Sequence, residues 1–121
     1  MKALLYDSEL KVMECLWERG DCQAAELVPI LEKEANWNKN TTYTIIKKLV
    51  AKGHVQRIDP KFVCHALITR EDVERAHAEN LVEKLHGGSN LMFLSAFVKN
   101  QSLSKTEIDE LRDLIDNWSE D

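Results

Sequence analysis

Lys39, Asn40, Tyr43, Thr44 and Lys47 recur at the three- and four-residue spacing of one helical stripe, and their side chains suit the edge of a base pair. Asn can pair bidentately with adenine, Lys can donate to guanine O6 and N7, and a Thr methyl can meet the thymine methyl. Thr41, in the same first turn, joins them as a DNA-contact candidate. Lys48 and Lys52 fall toward the flank and end of the stripe, which suits phosphate better than base edges. Arg57 and Lys61 follow on a hairpin, within reach of the DNA backbone or the neighbouring minor groove.

The overall charge of −5 over 121 residues looks wrong for a nucleic-acid binder until it is divided. Residues 1–70 hold eight Lys and three Arg against nine acids, a balance of +2, whereas residues 71–121 hold five bases against twelve acids, a balance of −7. From Ala35 to Ile58 there is no acidic residue at all. A basic window in an acidic chain points to one face for a polyanion and another kept away from it.

A stripe that reads bases needs an anchored back. Thr42, Ile45, Ile46 and Leu49 supply it on the opposite side of the same helix, with Asn38 as the N-cap and Gly53 as the stop. Upstream, Leu10, Met13, Leu16 and Trp17 form one apolar stripe, widened by Val12 and Cys15, in a helix from Asp7 or Ser8 to about Gly20. A second helix is expected over Ala24–Ala35 with Leu27, Ile30 and Leu31 inward, kinked or shortened by Pro29. The period then changes. Val55–Ile58, the turn Asp59-Pro60-Lys61 and Phe62–Ile68 read as strand, turn and strand. Three helices and a hairpin are the order of a winged helix-turn-helix, with the hairpin as the wing.

The second half reads as all helix. Thr69-Arg70-Glu71-Asp72 is a capping box opening a helix that reaches His86, with Val73, Ala76, Leu81, Val82 and Leu85 on its apolar side, and Gly87-Gly88 breaks it. Leu91–Val98 is apolar at every position but Ser95 and therefore must be covered all round. Ser104-Lys105-Thr106-Glu107 opens the last helix, in which Ile108, Leu111, Ile115 and Trp118 step by three and four. Three short helices cannot hide Leu91–Val98 within one chain, and a second copy can. The expected architecture is mostly α with a small β-hairpin: a winged-helix DNA-binding domain at 1–69 and a helical dimerisation domain at 70–121. The dimer seam is placed on Leu81, Leu85, Leu91, Phe93, Leu94, Phe97, Ile108, Leu111, Ile115 and Trp118. Two identical readers imply an operator with two-fold symmetry, its half-sites about 10 bp or a multiple of it apart.

Other functions find little support. There is no phosphate-binding Gly loop, no HExxH and no nucleophile motif, so no enzyme and no cofactor are expected. His54, His65, His77 and His86 share no metal-ligand spacing, and Cys15, Cys22 and Cys64 are an odd, scattered set that fits a reducing cytoplasm. No apolar run is long enough for membrane insertion, and with an acidic residue already at Asp7 no signal peptide is expected in the opening residues. The rival readings are a winged helix used for protein contact alone and a repressor that answers a metal or small ligand.

Three blocks carry a more specific likeness. They are Glu9–Trp17, Trp37–Gly53, and a tail made of Lys84-Leu85-His86-Gly87-Gly88, Phe97-Val98-Lys99-Asn100 and Glu107–Leu114. Over nearly its whole length the sequence resembles the penicillinase-repressor family, the BlaI/MecI/CopY group of bacterial winged-helix repressors. The resemblance implies a homodimer repressing transcription from TACA/TGTA-type inverted repeats, commonly those of β-lactam resistance. It also implies relief of repression by a membrane sensor metalloprotease that cuts an Asn–Phe bond in the middle helix of the arm. The aligned bond is Ala96–Phe97, which keeps the Phe and lacks the Asn. The copper-responsive branch carries a Cys cluster near its carboxyl end, and this chain has no Cys after Cys64. Further departures are Tyr6 where a Thr cap is usual, Gln23 in place of Ser or Thr, Pro29, and the short turn at Asp59-Pro60-Lys61.

Overall fold

The computed structural model describes residues 3–118. Three helices come first: α1 (Asp7–Arg19), α2 (Ala24–Ala35) and α3 (Lys39–Ala51). α1 starts without a side-chain cap from Tyr6; instead the Glu9 carboxylate reaches back to accept from the Tyr6 N–H at 2.9 Å. Gly20, at φ +81°, ends it. α2 keeps its full length despite Pro29, and is not shortened as the sequence suggests. Pro29 and Ala25, whose carbonyl loses its partner, are both exposed, so water can satisfy the freed oxygen. Asn36 closes α2 in the left-handed conformation.

Among the described residues the sheet has three strands, β1 (Cys22–Gln23), β2 (Val55–Ile58) and β3 (Val63–Ala66), in the order β1-β3-β2 and antiparallel throughout. β1 is not expected from the sequence, since two residues show no period. It places Cys22 opposite Cys64 and Gln23 opposite Val63. The wing also departs from expectation at Phe62. This residue has φ +51°, outside strand geometry, so it belongs to the turn and β3 begins at Val63.

The core of this unit is made by Val12, Met13 and Leu16 of α1, Leu27 and Leu31 of α2, Ile46 and Leu49 of α3, with Val55 and Cys64 from the sheet. Each such side chain contributes roughly 1.5–3 kcal/mol on burial. α4 (Arg70–His86) opens with the expected box: the Asp72 carboxylate accepts from Thr69 N–H at 2.9 Å and Thr69 Oγ1 from Asp72 N–H at 3.1 Å. Its first turns join the same unit. Val73 enters the core, and the Leu5 N–H donates to His77 Nε2 at 3.0 Å. Trp17 Nε1 donates to the Ile68 carbonyl at 2.9 Å while Arg70 lies over the Trp17 ring. The first compact unit accordingly runs to Glu79, and the second begins at Asn80.

The second unit holds the rest of α4, then α5 (Asn90–Lys99) and α6 (Lys105–Asp116). Gly87 and Gly88 both take positive φ at the break. Ser89 caps α5 through the Met92 N–H, and Ser104 and Glu107 form the reciprocal box that opens α6. Among its described residues only Val82 is buried. No described helix is long and apolar enough to cross a membrane.

Candidate nucleic-acid interface

α3 is set by its two faces. Thr42, Ile45, Ile46 and Leu49 are buried, and Asn38 Oδ1 accepts from the Thr41 N–H at 2.8 Å to fix the first turn. Thr41 is half-buried, with its backbone committed to that cap. On the outer side Lys39, Asn40, Thr44 and Lys47 are exposed and Tyr43 is half-buried, and together they line a shallow surface groove of about 410 Å³. Lys48 is exposed on the flank. The structure thus brings the sequence-derived stripe onto one accessible face, all of it hydrogen-bonding or cationic.

Lys52 has a different setting. Its Nζ lies 2.8 Å from Glu9 Oε1 and 2.7 Å from Glu9 Oε2, and 4.8 Å from the centre of the Tyr6 ring. Glu9 is only 1% exposed, so this pair ties the end of α3 to the start of α1, and any phosphate contact by Lys52 would be additional to that role. Burial by itself would raise the Glu9 pKa, but hydrogen bonds from Lys52 and the Tyr6 N–H, with the nearby positive charge, outweigh it and hold the carboxyl below its usual 4.5. His54 is buried beside them with Nδ1 unpaired, and burial first, then Lys52, depresses its pKa. Glu9 escapes sequence reasoning, because a charged residue on a buried helix stripe does not show in an apolar pattern.

On the wing, the Arg57 guanidinium sits 3.8 Å over the Phe62 ring and its Nε donates to Asp59 Oδ1 at 3.0 Å. The Phe62 ring meets Tyr43 of α3 edge-on, centroids 5.8 Å apart. Lys61 is exposed at the turn. By sequence Phe62 is an ordinary strand residue, and no local pattern marks a Phe in left-handed backbone.

The cysteines belong to the core. Cys64 is fully buried, and burial, then the neighbouring Cys22, pushes its thiol up to about 11. Burial also raises Cys15 and Cys22. Thiols so protonated are poor nucleophiles and poor metal ligands. The described residues hold no group of three or more His, Cys, Asp or Glu fit for a metal ion.

In the second unit Leu81, Leu85, Leu91, Leu94, Phe97, Ile108, Leu111, Ile115 and Trp118 are all exposed, and Leu91 and Ile115 are 76% and 71% so. Phe93 is half-buried between His86 and Phe97, with centroids at 6.0 and 6.4 Å. Phe97, Leu103, Leu111 and Leu114 line an apolar groove of about 480 Å³ rimmed by Glu107 and Glu110. The Ala96–Phe97 bond lies in the last turn of α5, where the Ala96 carbonyl accepts from Asn100 Nδ2 at 2.8 Å.

A trihelical core, a hairpin on a small antiparallel sheet and a third helix with one polar, accessible face define a winged helix-turn-helix protein. The chain belongs to the penicillinase repressor family, whose model matches residues 5–117. It is 30% identical over 111 residues to the methicillin resistance regulatory protein MecI of Mammaliicoccus sciuri, covering 89% of each chain. It is 28% identical over 114 residues to the penicillinase repressor of Staphylococcus aureus, covering 93% of this chain and 90% of that one. The solution structure of the DNA-binding domain of the repressor BlaI superimposes with a TM-score of 0.55 at 26% identity, over 60% of this chain and 90% of that domain.

Proposed function

We propose that this protein is a homodimeric, sequence-specific DNA-binding repressor of transcription, acting at an inverted-repeat operator. The observation that carries the reading is the accessible face of α3, where Lys39, Asn40, Tyr43, Thr44 and Lys47 stand opposite a fully anchored apolar back. One such helix fills a major groove, about 12 Å wide. Lys48, Arg57 and Lys61 surround it as phosphate contacts. The family's named members, a methicillin resistance regulator and penicillinase repressors, support control of β-lactam resistance genes.

The test is fluorescence anisotropy of a labelled TACA/TGTA inverted-repeat duplex against a scrambled one across a salt series. Tight, sequence-dependent binding with a log–log salt slope near −0.9 per phosphate contact is the expected result. No binding to either duplex, even at low salt, would overturn the proposal in favour of a protein-interaction module.

The dimer is carried by α5 and α6. Their exposed Leu91, Leu94, Phe97, Leu111 and Ile115 form an apolar surface that a monomer would leave in water, and a second copy presents a matching one. Phe97→Asp is expected to yield monomers by sedimentation at micromolar concentration, and Phe93→Asp likewise. Dimers surviving both changes would place the shared core elsewhere. Relief of repression by a membrane sensor metalloprotease would act at Ala96–Phe97, because the last turn of a helix frays first and a cut there divides the shared surface.

A further inference from the structure

We propose that Phe62 is the positioning residue of the wing: its ring sets the Arg57 guanidinium at a fixed place beside Tyr43, so that wing and reading helix meet DNA as one surface. The inference rests on the DNA-binding reading above. Three observations at one residue support it. Phe62 holds φ +51°, a conformation that strains a bulky side chain and persists only where the surroundings over-determine it. Those surroundings are the start of α2 and two elements of the interface, α3 and β2. Its carbonyl accepts from the N–H of Ala24, the first residue of α2, at 2.9 Å. Its ring edge meets Tyr43 on α3, and its face carries Arg57 from β2.

The chemistry fits a single purpose. A guanidinium over an aromatic face is attracted by the ring quadrupole and loses the rotamer freedom that an exposed arginine otherwise keeps. Asp59 takes the Nε–H, which leaves the four N–H donors of the two Nη groups for a phosphate. Without the ring, Arg57 would be a long, mobile cation held only by its exposed pairing with Asp59. Phe62 is half-buried against the core, and packing there does not require a cation over its ring.

The experiment uses the full chain, the labelled TACA/TGTA inverted-repeat duplex, and anisotropy across a salt series. Phe62→Asn accepts left-handed backbone and removes the ring, Phe62→Tyr keeps the ring, and Phe62→Leu keeps apolar bulk under the same backbone strain. Phe62→Asn and Phe62→Leu are expected to weaken binding about tenfold, the scale of removing one cation–π interaction from each of two protomers. Both should lower the salt slope by about one per protomer, the change also expected of Arg57→Ala. Phe62→Tyr should stay within about twofold of the unaltered protein. Adding Arg57→Ala to Phe62→Leu should cost nothing further, because both changes remove the same interaction. Weakening with an unchanged slope, or losses that add, would reduce Phe62 to packing and overturn the inference. No binding by the unaltered protein would overturn the DNA-binding reading, and this inference with it.

Discussion

A Lys47→Glu protein is expected to fold and dimerise as before and to lose operator binding by at least about a hundredfold. Lys47 is exposed on the open side of α3, in the groove it lines with Lys39, Asn40, Tyr43 and Thr44, and among the described residues it forms no ion pair. The change therefore removes nothing that holds the fold. On DNA the same position faces a base edge, an interaction worth about 1–3 kcal/mol. A dimer forfeits two such interactions, which at about 1.4 kcal/mol each is a factor of about 100. Reversal of charge then adds repulsion from the duplex. Lys47→Ala should fall short of that loss and weaken discrimination between the operator and the scrambled duplex. Thermal melts and sedimentation supply the controls. Unchanged affinity of Lys47→Glu for the duplex would remove α3 as the reading helix.

The same helix shows why parts of this molecule are legible in its sequence. Asn38, the 42/45/46/49 stripe and Gly53 are local signals, each acting within four residues, and the structure realises all of them. The capping boxes at Thr69–Asp72 and Ser104–Glu107 are legible for the same reason. What escapes is set by distant partners. β1 exists only because β3 pairs with it, and Phe62 takes left-handed backbone only because Ala24, Tyr43 and Arg57 converge on it. The start of α4 is separable in sequence from the winged unit, yet Val73 and His77 bind it there through Leu5 and the core. Of the candidate site, the base-reading stripe is legible as a periodic pattern. The fastening of its two ends, by Phe62 at the wing and by Glu9 at the carboxyl end, is not.

Lys52→Met tests that second fastening and is expected to destabilise the winged unit by about 2–3 kcal/mol. Glu9 is almost wholly buried, and without Lys52 its carboxylate keeps only the Tyr6 N–H. Removing one partner of a fully buried pair costs about 3–5 kcal/mol, and the partial exposure of the Lys52 side chain, 38%, reduces that here. For a unit of this size the loss corresponds to a fall in melting temperature of roughly 10 °C or more. Glu9→Gln in the Lys52→Met background should recover part of it, since a neutral amide tolerates the site better than an unpaired charge. The pH dependence follows from the depressed Glu9 pKa. Its stabilising contribution is full above the ordinary value of 4.5 and is lost as pH falls through the lower folded value. The gap in melting temperature between the unaltered protein and Lys52→Met should therefore begin to narrow as pH falls below about 4.5 and close as it passes the lower folded value. The same variant separates the two roles open to Lys52. A protein that melts as the unaltered one does, but binds DNA with a shallower salt slope, would make Lys52 a phosphate contact and Glu9 incidental to it. A protein that melts early, yet binds with the full slope when assayed well below its transition, would place Lys52 in the scaffold that holds the reading helix.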